Sequence, residues 1–332
     1  MRLSILDQSP IISGHTPGEA IRATIELARA ADRLGYHRYW LAEHHSMKGL
    51  ADPCPEILLG QVASATERIR VGTGGVLLPY YSPLKVAEIF RMYEALFPAR
   101  IDLGIGRAPG GTRLVAQAMN AEAFGSEERF PVQVQELLGY LNDALPADYA
   151  YHEVKAMPAG PTAPEVWLLG SSDYSGSLAA YLGLRFSFAH FISAHGGPAV
   201  ARAYRTDFRP AYRDERPYCM AAVFAICAET QAEAERLAVS IDLRRLQMVR
   251  GQEQPIATTE DALSQALNDS DRAIIQHERA RAVIGTPPVV KQLLLELQEQ
   301  FQADEVMVIT ITGDYASRLH SYELLADAFA LP

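Results

Sequence analysis

Along the chain, short apolar runs rich in β-branched residues alternate with longer stretches whose apolar positions recur at helical spacing. Such alternation marks repeated βαβ units and a parallel sheet. Eight runs fit the strand description: 3–7, 38–43, 69–77, 101–106, 165–170, 185–191, 217–228 and 305–312. Most are nearly continuous in apolar character, as in Val166-Trp167-Leu168-Leu169, which suits parallel strands covered on both faces.

The intervening helices carry their own start signals. Thr16-Pro17, Ser82-Pro83 and Thr286-Pro287 each set a hydroxyl N-cap before a proline at the first helical position. Thr16 and Glu19 spell a capping box. Ile21, Ile25, Ala28, Ala31 and Leu34 share one face of the first helix, and Gly35 is placed to end it. Val290, Leu294, Leu297 and Phe301 form a second buried stripe. Two strand-to-strand intervals, 107–164 and 229–304, are much longer than the others. The pattern therefore predicts an α/β fold: a single (β/α)8 TIM barrel over residues 1–332, with insertions after strands four and seven. Within the second insertion, the polar and poorly periodic segment 251–284 is expected to be a mobile lid or a helix pair.

Composition narrows the class. At 332 residues and 48% hydrophobic content the chain can bury a large core without cross-links. Three scattered cysteines, Cys54, Cys219 and Cys227, form neither a disulfide framework nor a spaced zinc site, which points to a reducing compartment. The N-terminus lacks the apolar run of a signal peptide, and no stretch approaches the ~20 apolar residues of a membrane span. A net charge of −10 with no basic run opposes nucleic acid or anionic lipid as partners. A cytoplasmic protein acting on small molecules is expected.

In a barrel the chemistry belongs at the C-terminal ends of the strands. The first five predicted strands end in Asp7-Gln8-Ser9-Pro10, Glu43-His44-His45, Thr73-Gly74-Gly75, Gly104-Ile105-Gly106-Arg107 and Gly170-Ser171-Ser172. Three polar side chains directly after Trp40-Leu41 cannot all be buried without partners, so at least one should face the pocket. A histidine there could exchange a proton near neutral pH, whereas His45 reads better as a hydrogen-bonded loop residue. Gly74-Gly75 marks either a bulge or a place where something flat meets the backbone. Arg107 suits a phosphate or a carboxylate, with a surface ion pair as the plain alternative. The Gly170–Ser175 turn leads into a helix start, where backbone amides and hydroxyls make an anion site; simple N-capping by serine is compatible with that role. Pro109 stands where a dinucleotide fingerprint needs its third glycine, so that motif is rejected.

Taken together, these motifs resemble the bacterial-luciferase-like flavin monooxygenases over essentially the whole chain. The resemblance rests on Asp7-Gln8-Ser9-Pro10, Trp40-Leu41-Ala42-Glu43-His44-His45, Val71 through Pro79, Ser82-Pro83, Arg100 through Arg107, Leu168 through Ser172, and Gly285-Thr286-Pro287. It implies a flavin-dependent monooxygenase that uses reduced FMN, supplied by a partner reductase, and O2 to oxygenate a small organic substrate. It also implies a non-proline cis peptide at Gly74-Gly75 against the flavin ring, and a phosphate clamp at Arg107 with the turn of Gly170, Ser171, Ser172 and Ser175. Glu43 and Thr73 join the cofactor set, and His44 matches the family's catalytic histidine. Gln8, Tyr80, Tyr81 and His190 are expected on the substrate side, and a homodimer is expected. Gly106 replaces a reactive cysteine of luciferase, so light emission is not implied. Three alternatives stay open: an F420-dependent dehydrogenase, a non-catalytic flavin-binding subunit, and a metal-dependent hydrolase using Glu43, His44, His190 and Asp314. Adjacent strand histidines without His-x-His spacing make poor paired ligands, so no metal is expected.

Overall fold

The computed structural model describes residues 1–121, 127–211 and 216–332. In chain order its elements are β1 (Arg2–Asp7), α1 (Pro17–Arg33), β2 (Arg38–Leu41), α2 (Pro55–Ala65), β3 (Arg70–Leu77), α3 (Pro83–Leu96) and β4 (Ile101–Gly106). Then come α4 (Arg113–Met119), α5 (Phe130–Asn142), β5 (Glu165–Gly170), α6 (Asp173–Leu182), β6 (Arg185–Ala189), α7 (Gly197–Asp207) and β7 (Cys219–Cys227). The last third holds α8 (Gln231–Val249), α9 (Thr259–Leu263), α10 (Asp269–Arg279), β8 (Ala282–Gly285), α11 (Pro287–Phe301), β9 (Glu305–Ile309) and α12 (Tyr315–Phe329).

Eight parallel strands, β1 to β7 and β9, close into the expected barrel, with β9 between β7 and β1 and the β6–β7 pairing completing the ring. The closure explains why the strands read as apolar: helices cover the outside while side chains of alternate residues fill the inside. The helix signals behave as their chemistry requires. Thr16 and Glu19 form the capping box, and Ser82 caps the backbone amide of Lys85. Thr286 occupies its N-cap position without a side-chain cap bond. Val290, Leu294, Leu297 and Phe301 are all buried. The buried face of α1 is rotated from the sequence reading: Ala20, Thr24, Leu27, Ala28, Ala30 and Ala31 are buried, while Ile21, Ile25 and Leu34 are only partly so.

The predicted insertions are present, with residues 122–126 of the first lying outside the described residues. Segment 251–284 holds the helix pair α9 and α10, but it ends in a strand that the apolar pattern did not reveal. β7 is nine residues long, and β9 pairs with it only as far as Phe224. Beyond that point β8 pairs with Phe224 to Cys227, so the upper half of β7 keeps a hydrogen-bonded neighbour.

The barrel floor is ionic. Arg38 of β2 lies 2.8 Å from Asp102 of β4, 3.1 Å from Glu165 of β5 and 3.1 Å from Glu305 of β9. Arg70 of β3 adds a second guanidinium on Asp102 at 2.6 Å, and Ser4 of β1 bonds Glu305. Above this layer stand Trp40 and Trp167, edge to face at 5.1 Å, with Leu6, Met220 and Met307. Asp102 and Glu305 are fully buried, so removing Arg38 leaves Glu305 without a cation and Asp102 with Arg70 alone. Arg38→Met should therefore cost about 3–5 kcal/mol in urea unfolding. Glu165→Gln, at a partly exposed position, should cost under about 1 kcal/mol. Equal losses would contradict this layering.

Candidate active site

The cavity at the C-terminal mouth is assembled from strand ends that the floor holds in register. Asp7 closes β1: its carboxylate takes Arg318 of α12 at 2.7 Å, the Ser9 amide at 2.7 Å and the Tyr39 hydroxyl. Burial alone would raise its pKa, but Arg318 and these donors hold it below the usual carboxylate value. The anchored turn presents Gln8 to the cavity. At the end of β2 the chain is pinned by three backbone bonds, Ala42 to Asp7, His44 to Asp52 and His45 to Gly110.

Gln8, Glu43, His44, Gly74, Gly75, Arg107, Gly170, Ser171, Ser172 and Ser175 line one cavity of about 280 Å³. Four of the sequence-derived candidates do not. Thr73 is buried and donates to the Gly104 carbonyl at 3.0 Å. The 3-10 turn at Leu78–Tyr80 carries the two tyrosines away from the cavity: Tyr80 bonds the Pro109 carbonyl and Tyr81 bonds Glu43. His190 follows the last residue of β6 and turns its ring edge-on against Phe301 of α11 at 5.7 Å, while Ser187, Ala189, Phe191 and Ile192 face the cavity. The residues missed were the apolar inward neighbours, such as Leu77, Leu169, Phe191, Ile192 and Met307, together with Tyr174.

Glu43 is a positioning hub. Its carboxylate accepts from the Leu77 amide at 2.9 Å and the Tyr81 hydroxyl at 2.7 Å, and lies 2.7 Å from His45 Nε2. His45 is thus tied to Glu43 through Nε2, the hydrogen-bonded loop position read from the sequence. His44 opens on the cavity, with Nδ1 buried and lacking a hydrogen-bond partner. Burial first, and then the charges of Arg244 and His45, push its pKa down to about 4. At pH 7 its ring is neutral.

The cavity floor is bare backbone. Gly74 and Gly75 are joined by a cis peptide, and β3 shifts register against β4 there. A Cβ on Gly74 would stand 2.7 Å from Leu6 Cδ1, and one on Gly75 would stand 2.6 Å from the Gly104 carbonyl oxygen. On the far side, Arg107 lies over the Tyr174 ring at 4.4 Å, beside the turn that starts α6. Ser175 folds that turn tightly, donating to the Ser172 carbonyl at 2.8 Å, and a Cβ on Gly170 would overlap its hydroxyl. A guanidinium, serine hydroxyls and a helix N-terminus together can hold an anion. Among the described residues, no group of three or more His, Cys, Asp or Glu side chains could hold a metal ion. No helix among them is long and apolar enough to cross a membrane.

A closed barrel of eight parallel strands with its cavity at the C-terminal end defines a protein of the TIM-barrel class. Comparison with known proteins sharpens that class: the chain belongs to the luciferase-like monooxygenase family, whose model matches residues 1–303. An uncharacterised Bacillus subtilis protein, YceB, is 44% identical, with 99% of each chain covered. The N-acetyl-S-alkylcysteine monooxygenase of the same organism is 35% identical over 99% of this chain and 98% of its own. The crystal structure of apo-MsnO8 superposes with a TM-score of 0.91 at 37% identity, covering all of this chain and 99% of that one.

Behind the histidine loop, Asp52 is buried with Oδ2 unpartnered. Burial first, and then Asp7, Glu56 and Glu43, raise its pKa to about 7 against the Cys54 amide that lowers it. An unfolded chain releases this proton near pH 4 while the folded one keeps it, so stability falls as pH rises from about 4 to 7. Asp52→Asn should be more stable than wild type at pH 8 by roughly 2–4 kcal/mol and nearly equal to it at pH 3, measured by urea unfolding. A second check is NMR titration of the His44 ring, which should remain neutral at pH 5.5; a midpoint near 6.5 would contradict its desolvation.

Proposed function

We propose that the chain is the oxygenase component of a two-component flavin system, taking reduced FMN from a partner reductase and using it with O2 to oxygenate a small organic substrate. The observation that carries this reading is the joining of a side-chain-free floor at Gly74-Gly75 to an anion cradle at Arg107 and Ser171–Ser175. A flat ring bearing a phosphate tail needs both surfaces side by side. Reduced FMN supplies the electrons and the reaction with oxygen. The protein's own part is binding, orientation and proton handling. Arg107 and the α6 turn hold the phosphate, Gly74-Gly75 back the ring, and Glu43 sets the loop that carries His44.

Neutral at working pH, His44 accepts a proton from the cavity side without first having to lose one. The relative named N-acetyl-S-alkylcysteine monooxygenase supports a monooxygenase reaction on a small molecule. The unpaired cysteines support a cytoplasmic location. The exposed apolar side chains Ile57 on α2 and Met92 and Leu96 on α3 support a homodimer.

The test is a spectroscopic titration of the protein with FMN, reduced FMN and F420, followed by product analysis with an added flavin reductase. FMN binding with substrate-dependent oxygenated product is expected; binding of F420 alone would favour a dehydrogenase, and binding of neither would end the flavin reading. In the same assay His44→Ala should lower product formation about 10²-fold while FMN affinity is kept. An unchanged rate would remove His44 from the chemistry.

A further inference from the structure

Five arginines are buried among the described residues, and the fold holds four of them by direct contacts. Arg38 meets three carboxylates, Arg318 meets Asp7, and Arg91 donates to the Leu141 carbonyl. Arg245 donates to the Glu278 carbonyl at 3.1 Å and lies over the Phe224 ring at 4.6 Å. Arg244 is the exception. It is only 6% exposed, yet among the described residues its guanidinium makes no hydrogen bond and no ion pair. Glu253 attracts it from beyond ion-pair distance, and burial outweighs that attraction, so its pKa is lowered. A cation desolvated without a bonded partner costs stability, which Glu253 offsets only in part.

The helix that carries Arg244 shows where its charge stands. Leu237 and Ile241 of α8 are buried in one cluster with Leu6, Trp40, Ala42 and Met307, four residues that also line the active-site cavity. Positions 237, 241 and 244 follow helical spacing, so Arg244 continues that cavity-side stripe one turn further. The loop after β2 leaves room for it: a Cβ on Gly49 would stand 2.3 Å from Nη1 of Arg244 and 2.8 Å from the Gln254 carbonyl oxygen. His44 lies on the same loop, and after burial the charge of Arg244 acts on its ring more strongly than that of His45. Arg244 is not on the wall of the cavity; it stands at the rim, past His44. Arg107 with the α6 turn already supplies a phosphate site of hydroxyls and a helix N-terminus, whereas Arg244 offers a lone planar fork, which matches the two oxygens of a carboxylate.

We propose that Arg244 is a specificity-determining residue that binds a carboxylate of the substrate at the rim of the cavity, beside His44. The inference rests on the flavin reading above and adds to it the class of substrate: a small organic acid, its acid group at the rim and the part that is oxidised inside the cavity.

The test uses flavin-free protein and two probes of one shape, hexanoate and hexanamide, titrated by NMR against wild type and Arg244→Met, with urea unfolding of both proteins. Wild type should bind hexanoate at least about tenfold more tightly than hexanamide, and Arg244→Met should bind the two within about threefold of each other. Because methionine replaces a buried charge that lacks a bonded partner, the unfolding midpoint of Arg244→Met should equal or exceed that of wild type. No preference for hexanoate in wild type, or a preference kept in Arg244→Met, would overturn the proposal. A lower midpoint in Arg244→Met would overturn it as well, by showing that the fold itself holds the guanidinium through Glu253. A loss of about tenfold in FMN affinity in Arg244→Met, with riboflavin affinity kept, would assign Arg244 to the flavin phosphate, with the same consequence. Failure of the wild type to bind FMN is a separate result that removes the flavin reading itself, while the hexanoate titration decides the acid site whatever the flavin does.

Discussion

One guanidinium at the bottom of the barrel, that of Arg38, decides how the rest can be built. It meets carboxylates from three other strands, β4, β5 and β9, and is itself buried with Asp102 and Glu305. Charges so placed tolerate little displacement, because a lost partner leaves a buried ion whose desolvation nothing offsets. The consequence travels upward. Asp102 also accepts from Trp40 Nε1 at 2.9 Å, and Trp40 with Leu6 presses against the inner side of β3. That pressure excludes side chains from the strand: a Cβ on Gly72 would stand 2.6 Å from Asp102 Cβ, and one on Gly74 would stand 3.1 Å from Trp40 Cε3. The bare backbone that faces the cavity is thus the top of a stack that begins with an ion network.

Around the mouth, charge is managed differently. Glu43 is fully engaged by its neighbours and positions the loop, while burial and the nearby Arg244 keep His44 neutral. Arg107 and the start of α6 line the same cavity as the glycine floor and His44. One cavity thus holds a neutral imidazole and a set of groups able to bind an anion, a combination that suits a ligand with a reactive ring and a phosphate.

Much of this was legible in the chain. Local signals carried it: hydroxyl-proline helix starts, the stripe from Val290 to Phe301, β-branched runs, and glycine, arginine and serine motifs at strand ends. What escaped was non-local. Arg38, Asp102, Glu165 and Glu305 are single polar residues in four separate strands, and only closure of the barrel brings them together. β8 was invisible because its four residues exist as a strand only through the free upper edge of β7. His190 and the tyrosine pair were drawn toward the cavity by residue type; the turn that ends β6 and a 3-10 turn after β3 send them elsewhere. Such turns are not counted from the apolar pattern.

The central claim is that the anion cradle and the glycine floor bind one molecule. Calorimetric titration of the flavin-free wild type with FMN and with riboflavin tests it most directly, since the two ligands share the ring and differ only in the phosphate. The account predicts that FMN binds at least about tenfold more tightly, the equivalent of one charge-assisted contact set at Arg107 and the α6 turn. Equal affinity for the two would show that the cradle does not hold the phosphate, and would contradict the account.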